Sequence, residues 1–197
     1  MYEVIWHGRG GQGVVVASQI LAESAYLQGF KGVTSAPTFG PERRGAPVTA
    51  STRISTLPVR TFAQINHADC AVVLDPTLLK SVDIRDTVQK EGLIIINAPV
   101  LSDHFKAMHR CERIAVVDAV RIALIHHLTH EGAPIVNTPL LGAFARATGL
   151  VSLECLEMGL RGKLSKAVAS ANIAALRAAY DDTDLMLEED LKEDDRQ

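Results

Sequence analysis

An apolar stretch with strand character, Tyr2–His7, runs without a break into Gly8-Arg9-Gly10-Gly11-Gln12-Gly13 and then into Val14-Val15-Val16-Ala17. A GxGxxG placed between a strand and a helix leaves few folds open. Glycines let the chain turn tightly from strand to helix. They also bring bare backbone N–H groups to the positive end of that helix, where an anion is favoured. Two readings of the turn stay open: a phosphate cradle, or close packing of strand on helix. An ordinary dinucleotide site is disfavoured. It needs an acid about 20 residues further on to hold the ribose hydroxyls. Here the second strand reads Gly32-Val33-Thr34-Ser35-Ala36, and the next acid is Glu42, beyond Pro37, Gly40 and Pro41.

The rest of the chain repeats one theme. Cys70–Leu74, Gly92–Asn97 and Arg113–Asp118 are continuous apolar runs, the mark of strands buried on both faces. Val48–Ile54 is a β-branched strand. Helices are predicted over Gly13–Gln28, with Gly29 as the stop, and over Ala119–His130, Leu140–Thr148, Leu153–Gly159 and Ser165–Tyr180. The expected fold is α/β: a three-layer, open, mostly parallel sheet with helices on both faces and a Rossmann-like first βα turn. At 197 residues, 47% of them apolar, the chain suffices for one domain with its own core. That domain is expected over residues 1–180. Asp181–Gln197, with nine acids and two bases, is expected to be an acidic tail, either solvated or docked on a basic partner.

Several chemistries are excluded. Cys70, Cys111 and Cys155 are scattered, so neither a zinc site nor a four-cysteine iron–sulfur site is expected. His126 and His130 share one face of a predicted helix, but position 127 is His where the zincin pattern needs Glu, and no third ligand is evident. No metal is expected. There is no GxSxG elbow, and the arginines are not interleaved with aromatics, which argues against nucleic acid. No apolar run reaches the ~20 residues of a membrane span, and the N-terminus enters a strand directly. A cytoplasmic protein is expected. His7, directly before the turn, is expected to hydrogen-bond the glycine loop.

The segment Pro37–Pro47 carries Glu42, Arg43 and Arg44 between glycines and prolines that exclude regular structure. It follows the second strand as the glycine turn follows the first, so both belong to the carboxyl edge of the sheet, where α/β folds bind ligands. Adjacent arginines suit a phosphate or carboxylate. A subunit interface is the other reading. A phosphate-friendly turn, a guanidinium-bearing loop and no complete catalytic set together favour a subunit whose chemistry lies elsewhere.

Gly8-Arg9-Gly10-Gly11-Gln12-Gly13-Val14, followed by Thr38-Phe39-Gly40-Pro41-Glu42-Arg43-Arg44-Gly45, resembles the gamma subunit of 2-oxoacid:ferredoxin oxidoreductases. The likeness extends over about Met1–Tyr180 and includes Val72–Asp75 and Asn137–Ala143. The chain departs from the usual pattern at Phe39, where tyrosine is common, and at Ala46, where a second glycine is common. The resemblance implies a subunit of an enzyme that oxidatively decarboxylates a 2-oxoacid with coenzyme A to an acyl-CoA and passes electrons to ferredoxin. It implies alpha, beta and delta partner subunits, with thiamine diphosphate, magnesium and iron–sulfur clusters carried by those partners. The expected contribution of this chain is assembly and a coenzyme A contact. Its nominated residues are Gly8, Arg9, Gly10, Gly11, Gln12, Gly13, Thr38, Gly40, Glu42, Arg43, Arg44 and Gly45, none of them catalytic. An NADP-type reductase and a pure scaffold are the alternatives.

Overall fold

The computed structural model describes residues 1–38, 45–61, 63–80, 82–100 and 113–187. The chain begins with β1 (Tyr2–Arg9), α1 (Val14–Leu27), β2 (Gly32–Pro37), β3 (Pro47–Ser55), β4 (Ala68–Val73), β5 (Val88–Asn97) and β6 (Arg113–Val117). It continues with α2 (Ala119–Ile125), a two-residue hairpin of β7 (Thr129–His130) and β8 (Ala133–Pro134), then α3 (Asn137–Thr148), α4 (Leu153–Lys163), α5 (Lys166–Asp182) and β9 (Asp184–Leu187). Among the described residues, seven strands form one mixed sheet in the order β2-β3-β1-β4-β5-β6-β9. The pairs β1/β4, β4/β5 and β5/β6 are parallel, whereas β3 runs antiparallel between β2 and β1, and β9 antiparallel along β6. Most strands therefore share one direction, as the apolar runs predicted.

Alternation along each strand divides the core in two. Val4, Trp6, Cys70, Val72, Leu93, Ile95, Ala115 and Val117 face one side, where residues of α1, α2, α3, α4 and α5 cover them. Ala71, Val73, Ile94, Ile96, Ile114 and Val116 face the other. Among the described residues that second layer is thin. It consists of two 3-10 turns, Pro76–Lys80 and Ile84–Thr87, which bring Leu78, Leu79 and Ile84 onto the sheet. The Trp6 indole N–H, buried in the thick layer, donates to Thr52 Oγ1 at 3.1 Å, so this large side chain is buried with no orphaned donor.

Several helix boundaries depart from the sequence expectation: α4 runs past the expected Gly159 to Lys163, and the end of α2 and the start of α3 differ for identifiable reasons. The helix predicted to reach His130 stops at Ile125. His127 takes a left-handed conformation (φ 56°), and its N–H donates to Leu124 O while Leu128 N–H reaches back to Ala123 O. That is a Schellman ending with histidine where glycine is usual. Burial of the Leu128 side chain supplies the apolar contact that accompanies such endings. At α3 the helix starts three residues before the expected Leu140 and includes Pro139. Proline costs nothing in a first turn, whose N–H groups have no intrahelical partner. Within the segment expected as a tail, Asp181 and Asp182 complete α5, and Asp184–Leu187 add an edge strand to the sheet. Residues 188–197 lie outside the described residues.

Candidate functional site

The chain leaves β1 through α1 toward the β2 side of the sheet, and leaves β4 through the 3-10 turns toward β5. The loops after β1 and β4 therefore diverge, which makes the carboxyl edge between them the topological switch point where α/β folds place ligands. The glycine turn stands there. So does the return of the segment after β2: Gly10 N–H donates to Ala46 O at 2.9 Å, and Gly45 N–H donates to Gly10 O at 3.2 Å. The two motifs that the sequence placed at a common edge are thus joined by backbone hydrogen bonds. Thr38, at the other root of the segment, donates its N–H to Thr49 O at 3.0 Å and continues the β2/β3 ladder. Gly40, Glu42, Arg43 and Arg44 lie outside the described residues.

The polar side chains of the turn point inward, onto the chain's own groups. Arg9 Nε donates to Asp75 Oδ2 at 3.0 Å, Nη2 to Thr77 Oγ1 at 2.8 Å and Nη1 to Gly45 O at 3.1 Å. Gln12 accepts from Arg9 N–H at 2.7 Å and donates through Nε2 to Asp75 Oδ2 at 3.1 Å. Asp75 also accepts from the Thr77 N–H at 3.0 Å and the Thr77 hydroxyl at 2.6 Å. Its carboxylate is the hub that holds the turn to the end of β4. Sequence reading singled out the turn but not this hub. The available signal was Asp75-Pro76 closing an apolar strand at the same edge as the glycines.

Gly13 begins α1 in a left-handed conformation (φ 78°), with no side chain capping the helix. A Cβ there would stand 2.5 Å from Asn137 Nδ2, so the glycine serves both the turn and close packing. Asn137 opens α3 and donates to Gly13 O at 3.4 Å. The starts of α1 and α3 therefore meet beside the turn. Gly8, one residue before the end of β1, lies opposite Val48, and Gly11 is the exposed apex.

His7 does not reach the glycine loop. Strand alternation points it to the opposite face, where its Nε2 lies 3.3 Å from Thr87 Oγ1. The Thr87 hydroxyl donates to Ile84 O at 2.6 Å, leaving its oxygen to accept from a neutral imidazole. Burial pushes the His7 pKa down to about 4. Its folded-state value lies below the unfolded one. The stability it contributes is therefore complete above about pH 6.5 and is lost as pH falls through 4, some 3 kcal/mol in all. We expect denaturation midpoints to fall steeply over this window in the native chain and to flatten in His7→Leu. An unaltered slope in the variant would assign the acid sensitivity to other groups. Burial acts to raise the Asp75 pKa, but the Thr77 and Gln12 hydrogen bonds and the Arg9 charge outweigh it and hold the carboxyl below its usual range. Its contribution is present above the ordinary aspartate range and disappears at still lower pH than that range.

His126 and His130 are not on one helix, because α2 has already ended; His130 belongs to the small hairpin. Among the described residues no group of three His, Cys, Asp or Glu side chains is placed to hold a metal ion. Among them, too, no helix is long and apolar enough to cross a membrane.

Comparison with known proteins accords with this geometry. The family model for pyruvate ferredoxin/flavodoxin oxidoreductase matches residues 3–182. The pyruvate/ketoisovalerate oxidoreductases common subunit gamma of Pyrococcus furiosus is 46% identical over 187 residues, covering 94% of this chain and 98% of that one. Among solved structures, the pyruvate oxidoreductase subunit PORC of Thermotoga maritima is 36% identical, with a TM-score of 0.79 over 93% of this chain and 97% of that one. The 2-oxoglutarate:ferredoxin oxidoreductase of Magnetococcus marinus, solved with 2-oxoglutarate, coenzyme A and succinyl-CoA, shares the fold at 17% identity. Its TM-score is 0.70, over 91% of this chain and 31% of that one.

Proposed function

The chain belongs to the pyruvate ferredoxin/flavodoxin oxidoreductase family as the gamma subunit of a 2-oxoacid:ferredoxin oxidoreductase complex, and from this we propose that it is a non-catalytic subunit whose carboxyl sheet edge contacts coenzyme A. The complex would act on pyruvate or a related 2-oxoacid, releasing carbon dioxide, forming an acyl-CoA and delivering two electrons to ferredoxin. The chain is proposed to work in the cytoplasm beside alpha, beta and delta partners. Thiamine diphosphate, magnesium and iron–sulfur clusters are assigned to those partners. A four-cysteine cluster does not fit this chain, which has three cysteines in all, about 40 residues apart.

The observation that carries the coenzyme A contact is the pair of backbone hydrogen bonds between Gly10 and Gly45–Ala46. They fix Gly45, the residue that follows Arg43 and Arg44 in the sequence, on the glycine turn. Coenzyme A presents a diphosphate and a 3′-phosphate, and bare N–H groups beside guanidinium groups match that chemistry. The reading predicts that Arg43→Ala/Arg44→Ala raises the apparent KM for coenzyme A by about tenfold or more, since each charge-assisted bond is worth roughly 1.5–3 kcal/mol. Steady-state kinetics on the assembled complex measure this. An intact complex with unchanged coenzyme A dependence would leave the subunit as a scaffold. Anaerobic affinity purification tests the partners: recovery of the chain as a homo-oligomer alone would refute the assignment of this subunit to a larger complex. The NADP-type reductase gives way, because gamma subunits align over 94% of the chain.

A further inference from the structure

The Arg9 guanidinium is the obvious cation to offer a phosphate at the switch point, yet its geometry serves another purpose. Its Nε, Nη1 and Nη2 already meet Asp75, Gly45 and Thr77 at 2.8–3.1 Å. The paired carboxylate of Asp75 is largely buried, with 15% of its side chain exposed. An anion drawn to Arg9 would meet that negative charge on the same guanidinium. It would also have to displace bonds that tie together the ends of β1 and β4 and the residues before β3. The desolvation of the ion pair is offset where it stands, because the carboxylate accepts four hydrogen bonds and leaves no lone pair stranded.

We propose that Arg9 and Asp75 are positioning residues: their ion pair clamps the glycine turn and Gly45 to the end of β4, and Arg9 acts on coenzyme A through the backbone it orients, without touching a phosphate. The proposal rests on the coenzyme A reading above. It gives each partner one task. Asp75 sets the angle of the guanidinium and, through Gln12, the far side of the turn. Arg9 carries that constraint across to the Gly45 carbonyl. Lysine cannot replace it, because one ammonium does not provide a planar fork reaching three acceptors in fixed directions.

The two roles for Arg9 make opposite predictions for Asp75. If the pair is a clamp, Arg9→Ala and Asp75→Ala each raise the KM of the assembled complex for coenzyme A by about tenfold, with kcat changed less than about twofold. The double variant should be no worse than the poorer single one, as expected for two groups acting as a unit. Arg9→Lys should fail to restore the native KM. If Arg9 binds phosphate directly, Asp75→Ala frees its charge and lowers the KM, and that result would overturn the proposal. So would single effects that multiply in the double variant. Hydrogen–deuterium exchange of the peptides holding Gly10 and Gly45, measured without coenzyme A, separates the clamp from the coenzyme reading. Faster exchange to the same extent in both single variants supports the clamp; native exchange rates refute it. Faster exchange with a native KM would retain the clamp and refute the coenzyme A contact. Should Asp75→Ala fail to assemble, Asp75→Asn removes the charge while keeping an acceptor, and it carries the same prediction at about threefold.

Discussion

Replacing Phe144 by alanine should lower the unfolding free energy by about 3–5 kcal/mol, the largest effect expected of any single truncation discussed. Phe144 is fully buried on α3, in the thick layer between helices and sheet. Its ring centroid lies 6.3 Å from that of Trp6 and 6.4 Å from that of Tyr2, the latter edge-on at 74°. The aromatic contacts add to simple area burial. The cavity left behind is bounded by β1, whose ladder on both sides prevents collapse. For a domain of this size the loss corresponds to roughly 10 °C in Tm, readable by calorimetry or by loss of near-ultraviolet circular dichroism from Trp6. A shift below about 3 °C would mean that α3 moves in to fill the space. Because α3 also carries Asn137, which bonds the Gly13 carbonyl, the variant should disturb the site as well as the core.

Gly142→Ala is expected to destabilise by about 3 kcal/mol, at the upper end for overpacking. In an unhindered helix the same change would stabilise by about 1 kcal/mol, so even the sign of the effect is diagnostic. A Cβ on Gly142 would fall on the Leu176 carbonyl oxygen, well inside contact distance, with Tyr180 N 3.1 Å away. The obstruction is backbone of α5 and no rotamer change relieves it. The helices can only move apart, which would loosen Leu140, Phe144, Ala175 and Ala179, all fully buried nearby on the same pair. Urea denaturation of the purified chain decides the matter. An equal or higher midpoint would show that α3 and α5 separate at little cost.

Local pattern made much of the molecule legible. The apolar runs at Cys70–Leu74 and Gly92–Asn97 read as buried parallel strands because both faces of β4 and β5 are covered, so no polar alternation survives selection by burial. The stop at Gly29 was equally local: its N–H donates to Tyr26 O and that of Phe30 to Ala25 O, a closure any left-handed glycine can make. The end of α2 was not legible. Val120, Leu124 and the histidines after them continue a helical pattern. What ends the helix is the pull of Leu128 into a core built by distant parts of the chain, strong enough to hold His127 at a positive φ. The edge strand Asp184–Leu187 was hidden for the same reason. A short stretch before a run of acidic residues becomes a strand only because β6 presents an open edge to it.

The candidate site divides along the same line. From sequence alone came the strand–glycine–helix unit, the shared carboxyl edge of its two motifs, and the family pattern from Gly8 to Gly45, all of which are contained in short-range order. Tertiary structure decided what the motif's side chains do. Arg9 and Gln12 read as ligand-facing because they are polar residues in a phosphate-friendly turn. Asp75 and Thr77 lie more than 60 residues away in sequence, and only the parallel pairing of β1 with β4 sets them beside the turn. A charge declares its residue type in the sequence, but its partner is chosen by the fold. The energy of an ion pair depends on a few ångströms of separation and on burial, and neither is written in local order along the chain.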